Sequence, residues 1–294
     1  MKAIIFGSNG QDGYYLSKLL QKLGLEVFNI SRSKGHIIGD VANFSFVSDI
    51  IKEKKPEYIF SFAANSTTNH NALFENHQTI STGTINILES VRIHSPDTRV
   101  FISGSAMQFK NIGQPINEIT PFEASSPYSI ARIQSVYAAR YYKERFSMKI
   151  YIGYFFNHDS PLRSERHINQ RIVSTARRIN QGSKEKLLIG DLSVRKEFAF
   201  AGDIIKGVWT LVNQDNISEA VIGSGVDYSI QDWVEICFKE FNLNWEEHIV
   251  IDKTFNSEYS RLVSNPSIIN GMNWKCLISI NDLAKLMIQN PINS

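Results

Sequence analysis

Three glycines spaced three residues apart follow the first apolar stretch of the chain. Lys2–Phe6 is apolar enough to predict a buried strand, and the segment GSNGQDG after it places Gly7, Gly10 and Gly13 in the pattern G-x-x-G-x-x-G. The next residues have the apolar spacing of a helix, and Glu26–Ile30 predicts a second strand. In such a unit the glycines let the backbone approach a pyrophosphate, and the helix N-terminus supplies free N–H donors. The pattern therefore predicts a dinucleotide site; the alternative is a tight turn in a sheet protein.

Strand and helix patterns continue to alternate beyond this unit. Further strands are predicted at 57–65, 98–105 and 149–157, and helical stretches separate them at 44–54, 75–93 and 127–146. This alternation is typical of an α/β fold with a doubly wound parallel sheet of the Rossmann type. Ligands of such sheets bind at the carboxyl ends of the strands. Three stretches are therefore expected to line one cleft: Ala63–Ser66, Ser103–Phe109 and Asn157–Pro161.

The second half of the chain has mixed helices and short strands and no motif of its own. We expect a dinucleotide-binding domain over 1–157 and a smaller α/β substrate domain over 158–294, with part of 185–225 returning to the main sheet. Three side chains of the amphipathic segment SIQDWVEICFKEF are expected to face inward: Trp233, Ile236 and Phe241.

The composition argues against several classes of protein. With 31 Lys+Arg and 29 Asp+Glu the net charge is +2, which gives no sign of a nucleic-acid partner. No apolar run approaches the ~18 residues of a membrane helix, and the start MKAIIFGSNG does not resemble a signal peptide, so a cytoplasmic location is expected. The two cysteines, Cys237 and Cys276, are far apart, and the histidines lack metal-binding spacing; no metal is expected.

The end of the second strand bears on the choice of cofactor. An acidic residue there would hold the ribose 2′-hydroxyl of NAD, whereas an arginine would accommodate the 2′-phosphate of NADP. The residues at this place are Ser31, Arg32, Ser33 and Lys34, with no acid among them. This favours NADP and leaves NAD possible; the alternative is that Arg32 is a solvated loop charge.

A tyrosine and an arginine lie four residues apart in the segment SPYSIAR. Pro127 suits the first turn of a helix, and positions i and i+4 share a helix face, so Tyr128 and Arg132 can point at one site. As a bare spacing, the pair fits a surface contact better than a functional site. The helix follows one of the stretches predicted to line the cleft, which favours a role in the site.

These pieces, in this order, resemble an extended short-chain dehydrogenase/reductase, and within that group the GDP-mannose 4,6-dehydratase family. The matching stretches are GSNGQDGYYLSKLL, PEYIFSFAANS, PFEASSPYSIAR, GYFFNHDSP and IGDLSVRKEFAFAGDI. They span roughly residues 5–205, and weaker similarity continues through GSGVDYSIQDWVE.

The resemblance implies a chemistry for the cleft. In this family NADP takes a hydride from C4 of a sugar while a tyrosinate takes the hydroxyl proton; a carboxylate then removes the C5 proton, water leaves from C6, and the hydride returns to C6. The family's tyrosine carries over to Tyr128, and its Ser or Thr, which hydrogen-bonds to the C4 oxygen, to Ser105. The family's lysine, which holds the nicotinamide ribose, is Arg132 here, and the bulkier, forked guanidinium implies altered or slower catalysis. The alternative is a homologue that binds the cofactor without turnover.

A second departure concerns the elimination step. The resemblance places Met107 where the family has its carboxylate, and a thioether cannot abstract a proton. Loss of water should then fail and leave hydride exchange at C4. Another acid could substitute, with three candidates: Glu118, Asp159 and Glu165.

The resemblance also implies binding residues. Those expected to hold the cofactor are Gly7, Asn9, Gly10, Gln11, Asp12, Gly13, Arg32, Asp40, Val41, Ala63, Ala64, Asn65, Tyr128, Arg132 and His158. Those expected to hold a sugar nucleotide are Ser66, Met107, Asn157, Arg171, Lys196 and Glu258. Lys196 replaces an expected arginine, and Phe255 stands about where an arginine usually meets the base.

Three functions remain open at this stage. The first is an NADP-dependent oxidoreductase, a 4-keto reductase or 4-dehydrogenase. It would act at C4 of a nucleotide-linked hexose or deoxyhexose, with GDP as the expected nucleotide, in the biosynthesis of surface-polysaccharide sugars. The second is a GDP-mannose 4,6-dehydratase, a lyase, with an atypical base, and the third is a non-catalytic cofactor-binding homologue. The arginine-rich loop by which the dehydratases form tetramers looks truncated in SRSKGHIIGD, so a homodimer packed through 75–93 and 127–146 is expected.

Overall fold

Strands and helices alternate along most of the chain. The structure is a computed structural model that describes residues 1–33 and 35–290, and Lys34 of the expected cofactor loop lies outside the described residues. The strands are, in chain order, β1 (Lys2–Phe6), β2 (Glu26–Ser31), β3 (Ile37–Ile38), β4 (Tyr58–Ser61), β5 (Arg99–Ser105), β6 (Ile150–Phe155), β7 (His158–Asp159), β8 (Leu187–Ile189), β9 (Arg195–Glu197), β10 (Ala199–Phe200), β11 (Glu219–Ile222), β12 (Asp227–Ser229), β13 (Ile249–Ile251) and β14 (Arg261–Leu262). The α-helices are α1 (Gln11–Lys22), α2 (Phe44–Lys54), α3 (Leu73–Asn76), α4 (Gly83–His94), α5 (Pro127–Phe146), α6 (Ile168–Asn180), α7 (Ala201–Val212), α8 (Ile230–Lys239), α9 (Ser267–Asn270) and α10 (Ile280–Gln289).

One parallel sheet of seven described strands carries the fold, in the spatial order β11-β6-β5-β4-β1-β2-β3. Strands such as β4 are buried on both faces, which explains their nearly continuous apolar sequence. Helices α2, α4 and α5 pack on one face through residues such as Val47, Leu88 and Val136. Helices α1 and α7 cover the other face through residues such as Leu16 and Val208. The doubly wound α/β prediction is confirmed.

The predicted boundaries agree closely with the observed elements, with local exceptions. Helices α2 and α5 begin and end at the predicted residues. The strand predicted at 57–65 ends at Ser61, and the chain beyond it leaves the sheet. The helix predicted at 75–93 begins at Leu73 and contains a π-helical turn over His77–Thr82. On α5, Ile130 is 38% exposed, because the buried face of that helix runs through Tyr128, Ala131 and Ser135.

The second half of the chain contributes both to the large sheet and to a separate hydrophobic core. Helix α7 packs against α1, and β11 pairs in parallel with β6 at the edge of the large sheet. Helices α6, α8 and α10 instead enclose a separate core. Strand β8 contributes to it, as do Val194 and Phe198 on either side of β9. Trp233 is fully buried in that core, and Ile236 and Phe241 pack against it partly buried. The division at residue 157 stays a prediction.

The sheet reverses its strand order at β1, because β2 and β3 lie to one side of β1 and β4, β5, β6 and β11 to the other. Segments that follow the carboxyl ends of β1, β4, β5 and β6 therefore converge at one edge, where doubly wound sheets hold their ligands. Across residues 1–33 and 35–290, no helix has both the length and the hydropathy to cross a membrane. Within the same ranges, His, Cys, Asp and Glu form no cluster of three or more that could bind a metal ion.

Candidate active site

The glycine loop brings the backbone of β1 against that of β4. Gly7 has φ = 85°, and a Cβ atom there would lie 2.5 Å from the backbone nitrogen of Ala63. A Cβ atom at Gly13 would lie 2.5 Å from the Cα of Ser8, so this glycine permits close packing of α1 on the loop. No side chain caps the N-terminus of α1 at Gly10, which leaves its N–H groups available to a ligand. These features fit a dinucleotide pyrophosphate.

A groove of about 210 Å³ adjoins this loop, and we call it the glycine-loop groove. The predicted cofactor residues that line it are Gly7, Asn9, Gly10, Arg32, Val41, Ala63 and Ala64.

Tyr128 and Arg132 form a buried pair at the start of α5. Ser126 caps this helix and accepts from the backbone N–H of Ser129, which places Tyr128 in the first turn. The Nε atom of Arg132 donates to the hydroxyl oxygen of Tyr128 at 3.2 Å, and its guanidinium carbon lies 5.2 Å from the centre of the Tyr128 ring. The Nη1 atom donates to the backbone oxygen of Ser103 and to its hydroxyl oxygen. Strand β5 thus fixes the cation beside the phenol.

Ser105 and Met107 lie in the same cleft as this pair. The hydroxyl oxygen of Ser105, at the end of β5, accepts from the backbone N–H of Met107 at 3.2 Å. Among the described residues its proton has no acceptor, so the hydroxyl can donate to a ligand. Met107 packs against a small apolar cluster that contains Tyr128, Ile80 and Ala131. Met107 therefore lies in the immediate surroundings of Tyr128.

The cleft has a volume of about 460 Å³, and we call it the Tyr128 cleft. The predicted site residues that line it are Gly10, Gln11, Asp12, Ala64, Ser66, Ser105, Met107, Tyr128, Arg132, Asn157, His158 and Glu258.

A buried ion pair joins α1 to β7 at the wall of this cleft. His158 donates from Nδ1 to the backbone oxygen of Phe156 at 2.7 Å and from Nε2 to Oδ1 of Asp12 at 2.8 Å. When Asp12 is ionised both partners only accept, which fits a ring that carries both protons. Burial alone would lower the pKa of His158, but the attraction and hydrogen bond of Asp12 outweigh burial and raise it. Burial would raise the pKa of Asp12, and the same interactions with His158 leave it below its usual value.

A second, larger cavity of about 730 Å³ lies in the C-terminal half, and we call it the Lys196 cavity. Four cationic side chains line it: Arg171, Arg178, Lys186 and Lys196. Lys196 is buried, and within the described residues its ammonium makes no salt bridge. Burial lowers the pKa of Lys196 to about 8, with attraction to Asp159 acting against it. The Arg171 side chain also lacks an ion-pair partner among the residues described, and both cations line this cavity. Unpaired cations in a cavity indicate an anionic ligand.

Glu258 and Tyr259 line both the Tyr128 cleft and the Lys196 cavity, which places them where the two volumes meet. Oε1 of Glu258 accepts a hydrogen bond from the hydroxyl of Thr68. This bond joins the segment after β4 to the loop before β14. Near the junction, Oδ1 of Asn157 is buried and has no hydrogen-bond partner among the described residues. A ligand that passes from one volume to the other would contact all of these groups.

Three predicted residues line none of these volumes. Gly13 packs on the loop, and the Asp40 side chain accepts from the backbone N–H of Ala42 at 2.9 Å. Asn65 donates to Oε2 of Glu75 at 2.8 Å. Arg32, although it lines the glycine-loop groove, donates to the other oxygen of Glu75 at 2.8 Å and is therefore a paired charge.

The three acids considered as substitute bases lie elsewhere than the Tyr128 cleft. Glu118 accepts from the backbone N–H of Val221 at 2.7 Å. Asp159 is buried against Arg163, and Glu165 pairs with Arg178.

Several residues of the site have no separate signal in the sequence. Arg163, Arg166 and His167 line the Tyr128 cleft directly after the NHDSP segment, and that adjacency could have indicated them. Burial and the nearby cation of Arg163 lower the pKa of His167 to about 4, so its ring is neutral. Thr68 contacts Glu258, which lies 190 positions further along the chain, and a local sequence pattern cannot predict such a contact.

The sequence is similar to that of known proteins along nearly its whole length. A sequence model of the family described as GDP-mannose 4,6 dehydratase matches residues 4–287. The chain is 27% identical to GDP-mannose 4,6 dehydratase 1 of Arabidopsis thaliana over 325 aligned residues, which cover 99% of this chain and 89% of that protein.

Solved structures share the fold at low sequence identity. The dTDP-glucose 4,6-dehydratase of Bacillus anthracis, solved with NAD, superposes with a TM-score of 0.87 at 17% identity and covers 98% of this chain and 96% of its own. RMD of Pseudomonas aeruginosa, solved with NADPH, gives a TM-score of 0.87 at 16% identity with the same coverage of both chains.

Proposed function

Because the chain belongs to the GDP-mannose 4,6-dehydratase family, we propose that it is an NAD(P)-dependent enzyme that removes water from a GDP-linked hexose. The observation that carries the proposal is the position of the Tyr128 cleft. The phenol of Tyr128 lies in a cleft that shares Gly10 and Ala64 with the glycine-loop groove and Glu258 with the Lys196 cavity. A dinucleotide and a sugar nucleotide bound in the two flanking volumes would meet at Tyr128.

The residues around the glycine loop fit a nicotinamide dinucleotide. The uncapped N-terminus of α1 and the closely packed Gly7 would hold the pyrophosphate. A bound nicotinamide would supply the hydride acceptor for C4 of the sugar. Two of the solved relatives in fold contain NAD and NADPH respectively, which supports this class of cofactor.

The reacting groups that this chain supplies for the C4 hydroxyl are Tyr128, Ser105 and Arg132. Tyr128 would accept the hydroxyl proton, and the guanidinium of Arg132, which already donates to the phenolic oxygen, would compensate the negative charge of the phenolate. The Ser105 hydroxyl is free to donate to the C4 oxygen. Arg132 remains anchored on Ser103 throughout, so it acts on the tyrosine from a fixed position.

The Lys196 cavity suits a nucleoside diphosphate. Lys196 and Arg171 would pair with the diphosphate, and Phe255, which lines the same cavity, offers an aromatic face to a planar base. Sequence similarity to GDP-mannose dehydratases supports guanine as that base. The sugar would then extend past Glu258 into the Tyr128 cleft.

The dehydratase reaction needs a base for the C5 proton, whose removal lets the C6 hydroxyl leave as water. Two carboxylates line the Tyr128 cleft among the described residues, Asp12 and Glu258. Asp12 is held by the imidazolium of His158, whereas Glu258 contacts only the neutral hydroxyl of Thr68. We assign the C5 base to Glu258, which replaces the carboxylate that is absent at Met107.

A second candidate, a 4-keto reductase or 4-dehydrogenase, is favoured by Met107. Its thioether lies beside Tyr128 where the family places the elimination carboxylate, and it cannot take up a proton. In this case the reaction would stop after hydride exchange at C4. The dehydratase is preferred because the matched family and the Arabidopsis thaliana relative carry that activity in their names.

Incubation with GDP-mannose and either NAD⁺ or NADP⁺ separates the candidates by mass spectrometry. Loss of one water with no net change in cofactor absorbance supports the dehydratase. Loss of two hydrogens with stoichiometric cofactor reduction supports the C4 oxidoreductase and overturns the dehydratase. Tight cofactor binding without turnover across a panel of sugar nucleotides indicates the non-catalytic homologue instead.

For the assembly, we propose a cytoplasmic homodimer packed through α4 and α5. The outer faces of these helices carry exposed apolar side chains: Ile85, Ile93, Tyr137, Tyr141 and Phe146. Burial of such a patch against a second copy would remove apolar surface from water. Ile93→Glu should convert a dimer to a monomer in light scattering, while Ile119→Glu, at an 88% exposed site outside these two helices, should not. A wild-type monomer would overturn the proposal.

A further inference from the structure

A carboxylate from α3, that of Glu75, contacts Arg32, which lines the glycine-loop groove. Oε1 of Glu75 accepts from Arg32 at 2.8 Å, and Oε2 accepts from the side-chain amide of Asn65 at 2.8 Å. The hydrogen bond from Arg32 is the largest of several interactions that lower the pKa of Glu75, and the bond from Asn65 adds to it, so the carboxylate is charged.

The order of the strands shows which segments Glu75 joins. Asn65 follows β4 and Arg32 follows β2, and β1 lies between those two strands in the sheet. Two strand spacings separate β4 from β2, which is about 10 Å. Glu75 therefore joins two segments that leave the sheet on either side of β1, and Gly7 follows the carboxyl end of β1.

Local structure holds Glu75 in this position. The neighbouring residue, Asn76, is fully buried and donates from its side-chain amide to the backbone oxygen of Thr67 at 3.0 Å. The short helix is thereby tied to the segment that leaves β4, and a π-helical turn continues it into α4. The carboxylate is placed by this packing as well as by its two partners.

We propose that Glu75 supplies, from a different segment, the acid that the end of β2 lacks, and that it favours NAD over NADP. This inference rests on the proposed dinucleotide site. A carboxylate at that place can accept from ribose hydroxyls, as an acid at the end of β2 does in NAD-binding sheets. A 2′-phosphate would bring like charge against Glu75, and Arg32 would have to divide its guanidinium between that carboxylate and the phosphate.

Isothermal titration of the unliganded protein with NAD⁺ and with NADP⁺ tests the proposal without relying on turnover. Glu75→Gln should weaken NAD⁺ and strengthen NADP⁺, so that the ratio of the two dissociation constants moves toward NADP⁺ by about tenfold or more, which corresponds to about 1.4 kcal/mol. Glu89→Gln is the matched control, because it removes a similarly exposed carboxylate that pairs with Arg92 and accepts from the hydroxyl of Tyr142, between α4 and α5. Its ratio should equal that of the wild type.

The outcomes distinguish failure of the role of Glu75 from failure of the proposed dinucleotide site. If both dinucleotides bind and Glu75→Gln leaves their ratio within about twofold of the wild-type ratio, the role of Glu75 is refuted while the cofactor site stands. If neither dinucleotide binds the wild-type protein, the proposed function falls and the inference falls with it. Thermal unfolding at the wild-type temperature shows that the variant is folded, as the partial exposure of Glu75 predicts.

Discussion

The guanidinium of Arg132 lies between Tyr128 and Ser103, with Nε 3.2 Å from the phenolic oxygen and Nη1 2.8 Å from the serine hydroxyl. A lysine at this position would be a single point charge on a flexible stem, whereas the forked guanidinium contacts both groups at once. Nη2 makes no hydrogen bond within the described part of the chain, and Arg132 is one of the residues that line the Tyr128 cleft. The departure from the family lysine therefore changes how the cation is held and keeps it beside the tyrosine.

Tyr128→Phe removes the proposed proton acceptor and should lower kcat by about 10²–10⁴-fold, the usual range for a general base. Cofactor affinity should change little, because the substitution deletes only one oxygen. Initial rates with GDP-mannose and titration with the dinucleotide measure the two effects. Tyr137→Phe, on the same helix but 58% exposed, should leave both unchanged. Turnover of Tyr128→Phe at the wild-type rate would remove this tyrosine from the mechanism.

Arg132→Met and Arg132→Lys separate charge from geometry. Arg132→Met leaves the phenolate uncompensated and the buried oxygen of Ser103 without its donor, so kcat should fall at least about 100-fold. Arg132→Lys keeps the charge and should retain turnover within about tenfold of wild type. Equal losses in the two variants, measured by initial rates on folded protein, would show that the forked geometry matters more than the charge.

Local sequence patterns predicted the elements whose ends are determined by residues close in sequence. Helix α2 was predicted to its ends because its apolar spacing is regular and the Asn43 side chain caps its first turn. The strand predicted at 57–65 was too long because the apolar run continues past the end of its neighbour β1. Phe62 still donates to the backbone of Phe6, but the residues after it turn to line the cleft.

The contacts that shape the candidate site join segments distant in sequence. Local sequence patterns therefore could not predict them. Arg32 was expected to face a cofactor phosphate, and its partner Glu75 lies 43 residues further along the chain. The spacing of Tyr128 and Arg132 predicted a shared face, and the structure adds that β5 anchors the cation. Lys196 was chosen by resemblance alone, and its burial without a salt bridge emerges only from the fold.

Glu258→Gln tests the proposed C5 base. The variant keeps the size of the side chain but cannot take up a proton, so loss of water from GDP-mannose should fall by about 10²–10⁴-fold. Exchange of the C4 hydrogen with a deuterated cofactor should continue, because Tyr128 is intact. Glu118→Gln, whose carboxylate accepts from Val221 away from the cleft, is the control. Normal dehydration by Glu258→Gln would contradict the assignment.

The binding of GDP should depend on pH through Lys196. Burial lowers the pKa of Lys196 to about 8, so the ammonium carries its charge below that pH and loses it above. GDP affinity should therefore decrease as the pH rises through about 8, measured by calorimetry without a sugar. Lys196→Met should bind weakly and lose this step, while Arg171→Met should bind weakly and keep it. A wild-type affinity that is constant across this interval would show that the lysine does not contact the phosphates.

The buried pair of Asp12 and His158 should make stability depend on pH. The raised pKa of His158 means that its contribution is complete below the unfolded value of about 6.5 and is lost as the pH rises through the folded value. The lowered pKa of Asp12 means that its contribution is complete above about pH 4 and is lost as the pH falls through the folded value. The pair therefore stabilises most between about pH 4 and about pH 6.5.

Asp12→Asn should cost about 3 kcal/mol of unfolding free energy in that interval, because it leaves the imidazolium of His158 buried without a counter-charge. The difference from wild type should shrink at higher pH, where His158 can lose its proton. Denaturant unfolding at several pH values measures both. Asp97→Asn removes an almost fully exposed carboxylate near Lys149 and should shift stability by well under about 1 kcal/mol. A cost of Asp12→Asn that does not vary with pH would mean that His158 is neutral in the folded protein.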